Sequence, residues 1–262
     1  MRGARRLDDL SALLVDLDGV LYVADEPVEG AREAVEALRR GGLTLRFVTN
    51  TTERSRAQTV DKLGRLGFVV EPEEVITPAA LARRRCVEAG HRTVALIMND
   101  DVKRDFEGLE EESEAPDAVI MGDLGEAFGF EILNRAFRMV MDGAELVALQ
   151  KNRFWLTGDG LSLDAGPFVA AIEYATGREA VVVGKPSASF FGLVLEDAGV
   201  GADGAGMVGD DVETDVGGAM RAGLAGILVR TGKYRQDFVL ESGVEPTATV
   251  DSIADVPDLI AR

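Results

Sequence analysis

Four short clusters in this chain of 262 residues carry side chains that could do chemistry together. Asp16-Leu17-Asp18-Gly19 sets two carboxylates one residue apart beside a glycine, and Thr49-Asn50 offers a hydroxyl and an amide. Lys185 stands in Gly184-Lys185-Pro186, in a chain where lysine is scarce. Gly209-Asp210-Asp211, with Thr214-Asp215 just beyond, supplies further carboxylates. Several carboxylates gathered at one site repel each other unless a cation neutralises them. Hard oxygen donors of this kind suit magnesium. A lysine supplies a point charge for a phosphoryl oxygen, and Thr49 and Asn50 add neutral donors. A metal ion, an ammonium and neutral donors around a free carboxylate make a phosphoryl-transfer site. An aspartate nucleophile forming an aspartyl-phosphate there needs no histidine.

Each cluster also has a plain structural explanation. Asp-x-Asp-Gly is a fragment of a calcium loop, although the later Glu of such a loop is not at the right offset. Thr-Asn can be a turn or a helix cap. A lone Lys is usually a surface residue, and Gly-Asp-Asp can be a solvated turn. What favours a joint site is the order of the clusters and their position, each directly after an apolar run. Single-copy residues narrow the chemistry further. Cys86 is the only cysteine and His91 the only histidine, which excludes an intrachain disulfide, a multi-cysteine zinc site and a clustered-histidine metal site. A Ser-His-Asp triad would have to use His91, which follows Gly90 at a helix-to-strand turn and reads better as a surface-loop residue. Cys86 lies in a helical pattern and reads as a small buried side chain.

The elements that must position these clusters alternate between strand and helix. Ala12-Leu13-Leu14-Val15 is a continuous apolar run of strand length, as in a parallel sheet covered on both faces. Ala31, Ala34, Val35 and Leu38 recur at i, i+3, i+4 and i+7, one face of an amphipathic helix that Gly41-Gly42 stops. Leu43 to Val48 reads as the next strand. Ser55-Arg56-Ala57-Gln58 resembles a capping box, and Thr77-Pro78 an N-cap and first-turn pair for a helix to Ala89. Strands follow at Val94 to Ile97, Ala118 to Met121 and Leu146 to Leu149. The acidic run from Glu107 to Glu114 reads as a solvated loop or helix face. Trp155-Leu156 and Leu161 to Leu163 flank Thr157-Gly158-Asp159-Gly160 and suggest a hairpin. Strand-helix alternation resumes with Ala180 to Val183, Phe190 to Leu195, Gly206 to Val208, Val216 to Ala222 and Gly226 to Val229. The fold class expected is α/β: a doubly wound, Rossmann-like parallel-sheet core over residues 1–78 and 180–262, with an α/β cap inserted over residues 79–179. In such sheets ligands bind beyond the carboxyl ends of the strands, where all four clusters would converge if their strands are parallel neighbours. An insertion of this kind would also place a cleft between two domains.

Asp and Glu number 46 against 28 Lys and Arg, a formal net charge of -18. That balance disfavours nucleic acid and anionic membrane surfaces as partners, since both need basic protein surface. No apolar run approaches the roughly 20 residues that span a bilayer, and the N-terminal residues lack the pattern of a secretion signal. A cytoplasmic protein acting on a small phosphorylated metabolite is the expectation.

The ordered set resembles the motifs of the haloacid dehalogenase superfamily of phosphatases. Asp16-Leu17-Asp18-Gly19-Val20 matches the first motif, Thr49-Asn50 the second, Lys185-Pro186 the third, and Gly209-Asp210-Asp211 with Thr214-Asp215 the fourth. The long insertion between the second and third motifs is similar to the α/β cap of the NagD-type subgroup, as are Phe47-Val48-Thr49-Asn50-Thr51-Thr52 and Val183-Gly184-Lys185-Pro186. The resemblance runs from about Leu13 to Lys233. It implies a magnesium-dependent phosphatase in which Asp16 attacks phosphorus and ligates the metal. Asp18 would be the general acid and base, with its backbone carbonyl on the metal. Thr49 and Asn50 would hold phosphoryl oxygens, Lys185 would steady nucleophile and phosphoryl group, and Asp210 would be the third metal ligand. Asp211 and Asp215 would play supporting parts, with their order of distance from the metal open. Substrate choice would come from the cap, where Asp164-Ala165-Gly166-Pro167 opens a helix in place of the Gly-Thr-Gly stretch of some relatives. Lys151 and Arg153 would either reach a leaving group or be ordinary exposed side chains. The sequence leaves the oligomeric state open; an exposed apolar cap surface would favour a homodimer through the cap. Two further readings are a receiver-like protein phosphorylated on Asp16 and a phosphate-binding protein without turnover. Receivers are about half this length, and both acids of the first motif are intact. Dehalogenation, which needs no magnesium, fits the acidic fourth motif less well.

Overall fold

The computed structural model describes residues 7–157 and 160–261. Contacts between residues divide the chain into two compact units. One holds the chain up to Thr49, Thr59–Ile76 and everything from Lys185 onward, and the other holds Asn50–Gln58 and Thr77–Gly184.

The first unit is built on a six-stranded sheet. Across it the strands run Ala248–Val250, Ala225–Val229, Ala205–Gly209, Ala12–Asp16, Thr44–Val48 and Val75–Ile76, and every neighbouring pair is parallel. From the Ala12–Asp16 strand the chain builds first toward Thr44–Val48 and later, on the other side, toward Ala205–Gly209. That reversal beside the first strand is the switch point at which such sheets leave a crevice beyond the strands' carboxyl ends. All residues of Ala12–Asp16 and of Ala205–Gly209 are buried, because apolar elements cover both faces. On one face Leu13, Val15, Phe47, Val208 and Ile227 pack with Ala34, Val35 and Leu38 of the Ala31–Arg40 helix and with Ile253 and Val256. On the other, Leu228 packs with Val212 and Val216. Each fully buried Leu, Phe or Val side chain contributes roughly 1.5–3 kcal/mol through removal of apolar area from water.

Local signals set the element ends. Ala31, Ala34, Val35 and Leu38 are the buried residues of their helix, and Gly41 caps its end. Ser55 and Gln58 form a reciprocal cap: the Ser55 backbone N–H donates to Gln58 Oε1 at 3.0 Å and the Gln58 N–H to Ser55 Oγ at 3.3 Å. Thr77 caps the Pro78–Glu88 helix by accepting from the Ala80 N–H.

The second unit carries a five-stranded parallel sheet in the order Val181–Val182, Glu145–Ala148, Ala118–Met121, Thr93–Ile97 and Glu110–Glu111. Its inner side chains Ile97, Val119, Met121 and Leu146 pack with Ala136, Met139 and Val140 of the Phe130–Met141 helix and Val169 and Ile172 of the Ala165–Thr176 helix. Here two expectations change. The strand expected over residues 180–183 forms as Val181–Val182, but it pairs with Glu145–Ala148 and not with a core strand. Residues 180–184 therefore leave the core segment that began at residue 180 and belong with the second unit. The acidic run contains a short edge strand, Glu110–Glu111, held on Thr93–Ile97 by backbone hydrogen bonds from Glu110 N–H to Arg92 O and Glu112 N–H to Val94 O, both at 2.9 Å. Phe154–Thr157 and Gly160–Leu163 pair antiparallel; the Gly158-Asp159 turn lies outside the described residues. Among the described residues no helix is long and apolar enough to cross a membrane.

Candidate active site

The Ala12–Asp16 strand delivers Asp16 to its carboxyl end, level with Val48 of one neighbouring strand. On its other side Val15 is level with Val208, so Gly209 and Asp210 leave the adjacent strand beside Asp16. Asp215 comes from the segment after it. Residues Val212–Gly217 form a π-helix, a wider turn than the α-helix expected from Val216 onward. The Asp211 carbonyl accepts from both Asp215 N–H at 3.1 Å and Val216 N–H at 3.2 Å. The Asp211 carboxylate caps this turn, accepting from the Glu213 and Thr214 N–H groups. Such turns recur at functional sites. Asp215 lies against the bare backbone of Gly209, where a Cβ would come within 2.3 Å of the Asp215 Cβ.

The outcome is a buried cluster. Asp16, Asp210 and Asp215 each offer a carboxylate oxygen, and these atoms lie within 4.8 Å of one another. It is the one such group of acidic, cysteine or histidine ligands among the described residues. Lys185 Nζ reaches two of the three, donating to Asp16 Oδ1 at 2.5 Å and pairing with Asp215 Oδ1 at 2.8 Å. Pro186, next to the lysine, packs closely on Gly218, where a Cβ would meet Pro186 Cβ at 2.8 Å. Among the described residues no cationic side chain forms an ion pair with Asp210. Its Oδ2 accepts the Lys233 backbone N–H at 2.7 Å, while its Oδ1 is buried without a hydrogen-bond partner.

The electrostatics follow from that arrangement. Burial, then the charges of Asp16 and Asp215, push the Asp210 carboxyl up to about 7, against some relief from Lys233. Burial raises Asp215 to about 6 even with the Lys185 ammonium beside it. Burial alone would lower Lys185, but the Asp16 and Asp215 carboxylates outweigh it and hold the ammonium charged. A buried carboxylate oxygen with no partner is costly, and carboxylates this close cannot all ionise cheaply without a cation. The donors present, hard oxygens around one partnerless oxygen, fit a divalent ion of the magnesium kind.

The remaining expected residues are placed as follows. Thr49, buried, continues the Thr44–Val48 strand one step beyond the level of Asp16, with its N–H on Ile76 O at 3.3 Å. Asn50 follows it in the chain and groups with the second unit. Asp18 has an exposed side chain and adds no carboxylate to the buried cluster. Of the two further acids, Asp215 lies in the cluster and Asp211 caps a turn. Lys185 does not arrive from a strand of the core sheet, since the strand before it belongs to the other sheet. In the second unit Asp164 caps the Ala165–Thr176 helix and also accepts from the buried Gln150 amide. Lys151 pairs with Glu173 at 2.5 Å. His91 joins Arg85 on Glu145, and Cys86 is buried, its thiol pushed up to about 11 by burial and then by Glu145. The Thr231-Gly232-Lys233 turn beside Asp210 was not singled out. It follows the Ala225–Val229 strand, a parallel neighbour whose carboxyl end lies at the same sheet edge, so the strand-end rule could have found it.

Family models for haloacid dehalogenase-like hydrolases match residues 13–111 and 182–256. Human haloacid dehalogenase-like hydrolase domain-containing protein 2 is 42% identical over 97% of this chain and 96% of its own. The chain belongs to the haloacid dehalogenase-like hydrolase family. Human phospholysine phosphohistidine inorganic pyrophosphate phosphatase is 39% identical over 98% of this chain and 97% of its own. The solved structure of a 4-nitrophenylphosphatase from Thermotoga maritima matches with a TM-score of 0.89 at 27% identity, over 97% of this chain and 98% of that one.

Proposed function

We propose that this hydrolase is a magnesium-dependent phosphatase of small phosphate monoesters that works through an aspartyl-phosphate on Asp16. The observation that carries the reading is the buried trio of Asp16, Asp210 and Asp215 with Lys185 on two members and a partnerless oxygen on the third. Phosphatase names among proteins similar to this chain add support. Asp16, Asp210 and the Asp18 backbone carbonyl would hold the magnesium, with Asp215 close by. When bound, the ion supplies positive charge that offsets the carboxylates and the phosphoryl oxygens.

Asp16 attacks phosphorus, and the bond from phosphorus to the ester oxygen breaks. Asp18 gives its proton to the departing alkoxide, so the alcohol leaves neutral. Asp18, now ionised, takes a proton from water as that water attacks the aspartyl-phosphate. Phosphate departs, and Asp16 returns as a carboxylate. Lys185 holds Asp16 in place and offsets charge on the phosphoryl group, while Thr49 and Asn50 donate to phosphoryl oxygens.

The test is hydrolysis of p-nitrophenyl phosphate with magnesium, with chelator, and by Asp16→Asn. Activity is expected only for the wild type with magnesium. An inactive wild type across a broad panel of phosphate esters overturns the reading, and an acyl-phosphate that persists for hours replaces it with a receiver-like role.

A further inference from the structure

Asp210 is gripped on one side only. Its Oδ2 sits between the backbones of two distant glycines. A Cβ on Gly19 would come 1.9 Å from that oxygen, and a Cβ on Gly232 2.1 Å from it and 2.5 Å from the Gly19 Cα. Both glycines have positive φ, +88° and +60°, a conformation that side-chain-bearing residues seldom adopt. Two hydrogen bonds close the grip. The Thr231 hydroxyl donates to the Gly19 carbonyl at 2.5 Å, tying the turn after the Ala225–Val229 strand to the turn after Asp18. The Lys233 N–H donates to Asp210 Oδ2 at 2.7 Å. These contacts crowd Oδ2, while Oδ1 is the buried oxygen without a hydrogen-bond partner.

We propose that the Thr231-Gly232-Lys233 turn is a positioning device that fixes the Asp210 carboxylate so that it meets the divalent cation through Oδ1. The inference rests on the reading of Asp210 as a cation ligand. Thr231 and Gly232 act through Asp210, not on substrate. Partners that orient a metal ligand typically matter at the level of roughly 10–100-fold in affinity. Gly232 is required for space, and Thr231 for the strap that holds the glycine turns together.

The experiment measures binding of the metal alone. Mn2+, followed by electron paramagnetic resonance, and Mg2+, followed by calorimetry, are titrated into the full chain without substrate. Thr231→Val, which keeps the shape and removes the donor, is expected to weaken binding about tenfold. Thr231→Ser, which keeps the donor, restores it. Gly232→Ala is expected to weaken binding by up to about 100-fold. Should Gly232→Ala fail to fold, the Val and Ser variants at position 231 carry the test. A wild type that binds neither ion overturns the cation-ligand reading, and the inference with it. A wild type that binds, with Thr231→Val binding equally tightly, overturns the positioning role alone. Equal loss in Thr231→Val and Thr231→Ser also overturns it, because a merely structural residue would behave that way.

Discussion

Replacing Asp210 by asparagine should stabilise the metal-free protein above neutral pH, although it removes a group proposed to be essential. The folded carboxyl rises from 3.8 to about 7 because it is buried beside Asp16 and Asp215. At roughly 1.4 kcal/mol per unit, ionising it in the fold costs up to about 4 kcal/mol more than in the unfolded chain. The sign follows from linkage. A raised folded value means the folded state holds a proton that the unfolded state has released, so stability falls as pH rises from about 4 to about 7 and the full penalty applies above 7. Asn has no such charge, it keeps an oxygen for the Lys233 N–H, and its NH2 faces carboxylates that repel the native group. Half of the ceiling, about 2 kcal/mol, is a fair expectation after local relaxation, and it corresponds to a rise of about 4–8 °C in melting temperature for a protein of this size. The assay is thermal melting of wild type and Asp210→Asn in chelator at pH 4.5, 6 and 8, repeated at pH 8 with magnesium. The gain should grow with pH in chelator, and magnesium should stabilise the wild type much more than the variant. A variant no more stable than wild type at pH 8, or a gain equal at all three pH values, refutes the electrostatic account of the site.

Two other changes probe neighbouring parts of the structure. Lys185→Met leaves the Asp16 and Asp215 carboxylates buried without their shared cation. It should cost about 3–5 kcal/mol in urea unfolding, and an unchanged midpoint would show that the pairs contribute little. Thr77→Ala removes the cap of the Pro78–Glu88 helix and should lower stability by about 1 kcal/mol, measured in the same way.

Much of this architecture was written locally. The spacing of Ala31, Ala34, Val35 and Leu38 marked the buried face of its helix, and Ser55 with Gln58 marked a helix start, because side chains contact their near neighbours in sequence. What was not local was not legible. Val181–Val182 reads as a strand, but nothing in two valines names the sheet that accepts them. Glu110–Glu111 pairs through its backbone, so its acidic side chains argued for a loop. The carboxylates were easier to find than their arrangement. Asp211 and Asp215 have the same chemistry, and only the wide turn at Val212–Gly217 sends one into the cluster and makes the other a cap. Lys233 acts on Asp210 through its charge and also through its N–H, a group that every residue but proline carries and that leaves no mark in the sequence.

The same cluster makes proton and metal compete for one oxygen pair. Lys185 is bonded to Asp16 and Asp215, and at Asp210 the nearby Lys233 only partly offsets burial and the repulsion of Asp16 and Asp215. With that carboxyl near 7, a large share of the metal-free protein carries a proton there at neutral pH. A divalent ion must displace it. Magnesium affinity should therefore be level above about pH 8 and fall by up to about tenfold for each unit below 7, with release of up to one proton for each ion bound near pH 6. Calorimetry in buffers of different ionisation enthalpy measures both quantities. If the affinity were the same at pH 6 and pH 8, Asp210 would already be ionised in the empty site. The short distances to Asp16 and Asp215 would then have to be balanced by a cation other than the one proposed to bind there.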